Sequence, residues 1–115
     1  MNTLRGEFEL NILDKKEKCL LTLNALRMFS QAEKIKLDEF DKYMSGDPLT
    51  AMPLLAYYGY LNCRLRTQAK GKSVNKELFI AEVLDSNNLE EVTSHIASAM
   101  DNGLGETSGN VKGAK

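Results

Sequence analysis

The chain has 115 residues, of which 43% are hydrophobic and 27% are charged, and these values are typical of one globular domain. Its 15 lysines and arginines nearly balance its 16 aspartates and glutamates, so the formal net charge is -1. This balance argues against nucleic acid or a membrane surface as a partner, because both attract strongly basic chains. The sequence opens without the charged, apolar and small-residue pattern of a secretory leader, so a cytoplasmic protein is expected.

Residues 4–23 are predicted to form a β-hairpin, because apolar and polar side chains alternate on both sides of a charged segment at 14–17. Folding the chain about the midpoint between Lys15 and Lys16 places the apolar side chains of both strands on one face. The three pairs expected on that face are Phe8 with Leu23, Leu10 with Leu21, and Ile12 with Cys19. A lone hairpin is marginal in water, so this face must pack on helices or on another copy of the chain.

Residues 25–101 are predicted to form about five helices, which together with the hairpin make a single globular domain over residues 1–101. The predicted fold class is therefore α+β, mainly α, with the hairpin followed by helices around one long central helix. Residues 102–115 are rich in glycine and have little to bury, so they are predicted to be a flexible, disordered tail. The helices are expected to run from Ala25 after an Asn24 cap, from Leu37 to about Met44, from Pro48 to Lys70, from a Ser73 cap to about Leu84, and from Leu89 to 101 after a capping box of Asn88 and Glu91.

The predicted central helix over 48–70 is apolar on two opposite sides. Asp47 is placed to cap it, and Pro48 is tolerated at its first position. One face, predicted to enter the domain core, carries Leu54, Tyr58, Leu61 and Leu65. The opposite face, predicted to bind a partner or a second copy, carries Met52, Ala56, Tyr60 and Cys63. The alternative is that the other helices of the same chain cover both faces.

The sequence contains no recognisable catalytic or ligand-binding set. Cys19 and Cys63 stand far apart among apolar neighbours, which favours buried reduced thiols over a disulfide. Together with His95 they lack the close spacing of a zinc site, so no metal and no cofactor are expected. The run at 71–73, Gly-Lys-Ser, matches only the end of a phosphate-binding loop and is explained as a helix stop followed by a cap. A protein without enzymatic activity is therefore expected.

The order of elements resembles that of the tail assembly chaperones of long-tailed bacteriophages and gene transfer agents. The most telling local match is the run at 21–26, Leu-Thr-Leu-Asn-Ala-Leu, where a strand leads into the first helix. The stretch at 47–58, which opens a long apolar helix, and the two short helices at 78–84 and 89–100 add to the likeness. The resemblance covers roughly residues 4 to 100.

This resemblance implies a protein in the cytoplasm of a bacterial host that binds the tape measure protein. It would keep that long, helical, aggregation-prone chain soluble and help to recruit tail tube proteins during tail assembly. Self-association, and a longer form of the chain made by frameshifting, would also be expected. The alternative from a different class is a small structural or adaptor subunit of a phage tail or head–tail connector, which would remain in the finished particle.

Overall fold

The computed structural model describes residues 6–103, without the side chains of Leu37 and of residues 101–103. Within that range an antiparallel hairpin precedes five α-helices, so the predicted fold class is confirmed. The elements are β1 (Glu7–Ile12), β2 (Lys15–Leu20), α1 (Leu23–Glu33), α2 (Phe40–Gly46), α3 (Pro48–Thr67), α4 (Lys76–Asp85) and α5 (Leu89–Gly103), with one 3-10 turn at Leu37–Glu39 before α2.

The register of the hairpin differs from the predicted one by four residues, because Phe8 pairs with Cys19 where Leu23 was expected. The reason is a tight turn of two residues, Leu13 and Asp14, whose φ angles of 52° and 65° give the left-handed geometry of a type I′ turn. A shift by an even number of residues preserves the facing of each side chain. The predicted inner residues of β1 are therefore still buried, and they are Phe8, Leu10 and Ile12.

The junction between β2 and α1 is held against α3 by a buried amide. Asn62 is fully buried and donates to the Leu20 carbonyl at 2.9 Å and to Thr22 Oγ1 at 3.1 Å. Its own oxygen accepts a hydrogen bond from Asn24 Nδ2 at 2.8 Å, so Asn24 does not cap α1 as predicted. Helix α1 begins at Leu23, which is 54% exposed and not an inner residue of the hairpin.

Helix α3 is the central element, and it contacts β2 and all four other helices of the described chain. It ends at Thr67, earlier than predicted, because Gln68 adopts a left-handed conformation with φ 55° and stops the helix. Pro48 occupies its start as predicted, but the Asp47 side chain makes no capping hydrogen bond. Gly59 lets β2 approach closely, since a Cβ there would lie 3.1 Å from Leu21 Cδ2.

The two C-terminal helices begin at asparagine caps. Asn75, and not Ser73, caps α4 by accepting from the backbone N–H groups of Glu77 and Leu78. Asn88 Oδ1 accepts from the Glu91 backbone N–H at 3.1 Å, as the predicted capping box requires. Helix α5 continues through 102–103, the first two positions of the predicted tail, while the rest of that tail lies outside the described residues.

Candidate functional site

An apolar groove of about 190 Å³ opens between α2, the first turns of α3 and the C-terminal half of α5. We call it the methionine groove, because three of its lining residues are methionines. Its lining consists of Phe40, Asp41, Met44, Met52, Thr93, Ile96, Ala97 and Met100. Only one of these side chains is ionisable, so the groove offers little to a charged ligand and much to an apolar one.

The walls and the floor of the methionine groove differ in burial. Phe40 and Ile96 are 6% and 1% exposed and form the floor. The methionines Met44, Met52 and Met100 are half-buried, so each leaves part of its surface open at the groove. Methionine has three rotatable bonds and a polarisable sulfur, and it adapts its shape to what it contacts. The groove therefore combines a fixed floor with adaptable walls.

Helical periodicity positions the groove side chains. On α5 the lining residues fall at positions 93, 96, 97 and 100, which is the i, i+3, i+4, i+7 spacing of a single helix face. On α3, Met52 follows Leu49 by one turn, and Leu49 is 55% exposed. The apolar surface of α3 thus extends from the groove toward the start of the helix.

The face of α3 predicted to bind a partner is open only at Met52. The other three predicted residues are buried within the chain, with exposures of 0% for Ala56, 1% for Tyr60 and 8% for Cys63. Helix α4 and the loop before it cover Tyr60, since its ring packs on Phe79 with centroids 4.8 Å apart and its hydroxyl accepts a hydrogen bond from the Val74 N–H at 2.9 Å. Cys63 lies beside β2. The prediction of an open face beyond Met52 is wrong, and the alternative of a closed bundle describes this part of α3.

The face of α3 predicted to form the core is buried except at its end. Leu54 and Tyr58 are 4% and 5% exposed, and Leu61 is half-buried against the core. Leu65 is 62% exposed, so its assignment to the core is wrong. The physical reason is its position in the last turn of α3, where residues 65–73 are all exposed.

A polar cluster ties three helices together beside this core. Tyr58 donates its hydroxyl hydrogen to Glu33 Oε2 at 2.6 Å, and Lys76 Nζ lies 3.1 Å from the same oxygen. Burial, together with the hydrogen bond to Glu33, raises the pKa of the Tyr58 phenol. The phenol is therefore neutral at physiological pH and links α1 to α3 as a hydrogen-bond donor.

The two cysteines are free, buried thiols, in line with the prediction. Burial raises the pKa of Cys19 and of Cys63, so both stay protonated near neutral pH and are poor nucleophiles.

His95 is exposed, and its ring stacks on Phe8 with a centroid distance of 6.1 Å. Across residues 6–103 no three His, Cys, Asp or Glu side chains gather where they could hold a metal ion. No helix in that range has the length and hydropathy needed to cross a bilayer.

Of the three groove methionines, only Met52 is predicted from the sequence to contact a partner. Met44 and Met100 lie on different helices, and their distance from Met52 along the chain hides their proximity. Three of the five methionines of the chain line this groove, but no local sequence pattern joins them into a set. Neither a family model, nor a curated protein, nor a solved structure matches this chain.

Proposed function

We propose that this chain is a phage tail assembly chaperone that binds the tape measure protein through its methionine groove. By covering apolar helical segments of that partner, it keeps the partner soluble and helps to recruit tail tube proteins during assembly. The observation that carries the proposal is an accessible apolar groove whose walls include three methionines. The resemblance of the 21–26 run and of the element order to the chaperone family supports it further.

The size of the groove favours side chains of a longer ligand over a whole small molecule. Sites for small molecules usually enclose roughly 300–1,000 Å³, whereas this groove holds about 190 Å³. An amphipathic helix presents apolar side chains at i, i+3, i+4 and i+7, and it can insert them into such a groove while its polar face stays in water. A helical partner such as the tape measure protein fits this mode of binding.

The methionine walls favour a partner with many apolar segments of different sequence. Flexible, methionine-rich surfaces repack around different apolar sequences and therefore bind promiscuously. A chaperone for a long helical chain has to cover segments that differ in sequence. Met44, Met52 and Met100 supply that adaptability from three separate helices.

Co-expression with the neighbouring tape measure gene tests the proposal. The wild-type chain is expected to raise the soluble fraction of the tape measure protein and to copurify with it. Met52→Glu places a carboxylate in the apolar groove and is expected to lower the copurified amount by about tenfold, as expected for roughly 1.4 kcal/mol of lost binding. Leu65→Glu is the matched control, because it makes the same type of change at a 62% exposed leucine outside the groove.

Three results contradict the proposal. The first is a tape measure protein that stays insoluble beside the wild-type chain. The second is equal copurification with the wild type and with Met52→Glu, while circular dichroism shows both chains folded. The third is detection of this chain by mass spectrometry in purified, finished particles; a chaperone leaves before assembly ends, so this result would favour a structural or adaptor subunit.

A further inference from the structure

A second groove, separate from the methionine groove, runs between the outer edge of β1 and the N-terminal half of α5. It encloses about 380 Å³, and we call it the β1 edge groove. Residues 7–11 of β1 form one side of it, while Glu91, Val92 and His95 of α5 form the other. Phe8 and Val92, which are 7% and 1% exposed, give it an apolar floor.

The hydrogen-bond pattern of the hairpin shows which backbone groups face this groove. The Leu21 N–H donates to the Gly6 carbonyl at 2.9 Å, so even-numbered residues of β1 exchange hydrogen bonds with β2. In an antiparallel pair the alternate residues point their N–H and C=O groups away from the partner strand. The odd-numbered residues of β1 therefore point theirs outward, as the bond from the Asn11 N–H to Asn87 Oδ1 at 2.8 Å illustrates.

One position on this outer edge is already paired, and by a side chain. Asn87 Oδ1 accepts from the Asn11 N–H at 2.8 Å, and Asn87 Nδ2 donates to the Asn11 carbonyl at 2.9 Å. These two bonds reproduce those that a neighbouring strand would make. The amide of Asn87 thus takes the place of a third strand at the turn end of β1.

Glu9, two residues before Asn11, presents the same outward pair of backbone groups without such a substitute. It lines the β1 edge groove, and within residues 6–103 no hydrogen bond pairs its outward backbone N–H and C=O. An open strand edge of this kind pairs readily with an extended peptide. The edge position at Glu9 lies next to Asn11, which the Asn87 amide already pairs. Glu9 can therefore pair with an added strand.

The charges around the groove define the partner. Its lining includes three carboxylates, of Glu7, Glu9 and Glu91, against the single lysine Lys16. Glu7 already lies 3.6 Å from Lys18, while Glu9 and Glu91 are exposed on the two sides of the groove. An extended segment that carries lysine or arginine would bring opposite charge to both sides.

We propose that the β1 edge groove binds an extended, basic segment of a partner protein by strand addition. One residue of that segment exchanges two main-chain hydrogen bonds with Glu9, and its flanking lysine or arginine side chains contact the Glu9 and Glu91 carboxylates. This site is distinct from the methionine groove, which takes a helix. The chain therefore has two docking surfaces that distinguish their ligands by secondary structure and by charge.

Fluorescence anisotropy with designed peptides tests this site. The probe is a labelled peptide of ten residues that alternates lysine with threonine, and the matched peptides replace lysine by glutamate or carry N-methyl groups on alternate backbone nitrogens. The lysine peptide is expected to bind, whereas the glutamate peptide and the N-methylated peptide are expected to bind at least about tenfold more weakly. The double variant Glu9→Lys with Glu91→Lys is expected to lose the lysine peptide to a similar degree.

Glu39→Lys is the control variant, because it reverses one exposed charge on the 3-10 turn away from this groove. It is expected to bind the lysine peptide as the wild type does. Equal binding of the N-methylated peptide overturns strand addition, and equal binding of the glutamate peptide or unchanged binding by the double variant overturns the role of the carboxylates. Absence of binding by the lysine peptide overturns the site itself.

Discussion

The two halves of α3 carry similar apolar residues, but these residues are buried in the C-terminal half and partly open near the start. In its C-terminal half Tyr60 and Cys63 are buried by α4 and β2, whereas near its start Leu49 and Met52 stay partly open. The start of the helix is flanked by α2, which has seven residues, and by the end of α5. Coverage by the rest of the chain, and not the composition of the helix, separates the buried part of α3 from its open part.

The loop after α3 explains the covered end. Residues 68–75 fold back along the helix, and the Val74 N–H donates to the Tyr60 hydroxyl. This return places α4 directly on Tyr60, where Phe79 packs against the ring. The start of α3 has no such return, so the same stripe remains accessible there. Substitutions at the two ends should consequently affect different properties.

The largest effect is expected from Tyr60→Glu. Tyr60 is 1% exposed, so the variant buries an unpaired carboxylate and loses the contact with Phe79. We expect a loss of at least about 4 kcal/mol in the free energy of unfolding, measured by urea denaturation. If the Tyr60→Glu variant stays folded and loses only self-association, this part of α3 is an interface, and the assignment of Tyr60 to the core of the single chain is wrong.

A smaller loss is expected from Gly59→Val, which tests the close packing of β2 on the covered half of α3. A Cβ at this position would lie 3.1 Å from Leu21 Cδ2 and 3.4 Å from the Leu20 backbone nitrogen, and valine adds two methyl groups beyond it. We expect about 3 kcal/mol of destabilisation from overpacking. Gly46→Ala is the control, since a Cβ there meets nothing within 4 Å, and it should change stability by less than about 1 kcal/mol. Equal effects of the two substitutions would contradict close packing at Gly59.

Tyr58→Phe is expected to cost about 2 kcal/mol at neutral pH, because it removes a hydrogen bond to a charged carboxylate. Burial and that bond raise the folded-state pKa of Tyr58 above its ordinary value of about 10. The stability that the neutral phenol contributes is therefore complete below about pH 10 and is lost as the pH rises through the folded-state pKa. Urea titrations from pH 8 to pH 11 should show a shallower alkaline decline for the variant, and parallel curves would contradict this coupling.

The smallest change in stability is expected from Met52→Glu at the open end of α3. Met52 is half-buried at the groove, so its charged replacement can turn toward water. We expect less than about 1 kcal/mol of destabilisation, together with the loss of helix binding described above. A loss comparable to that of Tyr60→Glu would place Met52 in the core and remove the difference between the two ends.

Local sequence patterns were enough to predict the elements and much of the core. Pro48 starts α3 and Asn88 caps α5 as their chemistry requires. The hairpin register was not predictable in the same way, because its turn consists of Leu13 and Asp14 and lacks the Asn-Gly or Asp-Gly signal of a type I′ turn. Because this signal is missing, the predicted turn was placed too late in the chain.

The candidate site was only partly predictable, because periodicity shows that a face is apolar but not what covers it. Met52 and Tyr60 belong to the same stripe, and their different exposure depends on where α4 and α5 pack. The methionine groove brings α2 and α5 together across the start of α3, and no local pattern contains that contact. Its residues could be found only after the helices had been placed in three dimensions.

The two buried thiols make it possible to measure how readily parts of this protein open. Cys19 of β2 is fully buried in the core, while Cys63 is 8% exposed beside a cavity next to β2. A thiol reagent can reach Cys19 only when the hairpin separates from the helices, whereas a smaller local opening suffices for Cys63. The rates of alkylation of the two residues, resolved by mass spectrometry, therefore report a local and a larger opening free energy in the unlabelled wild-type chain.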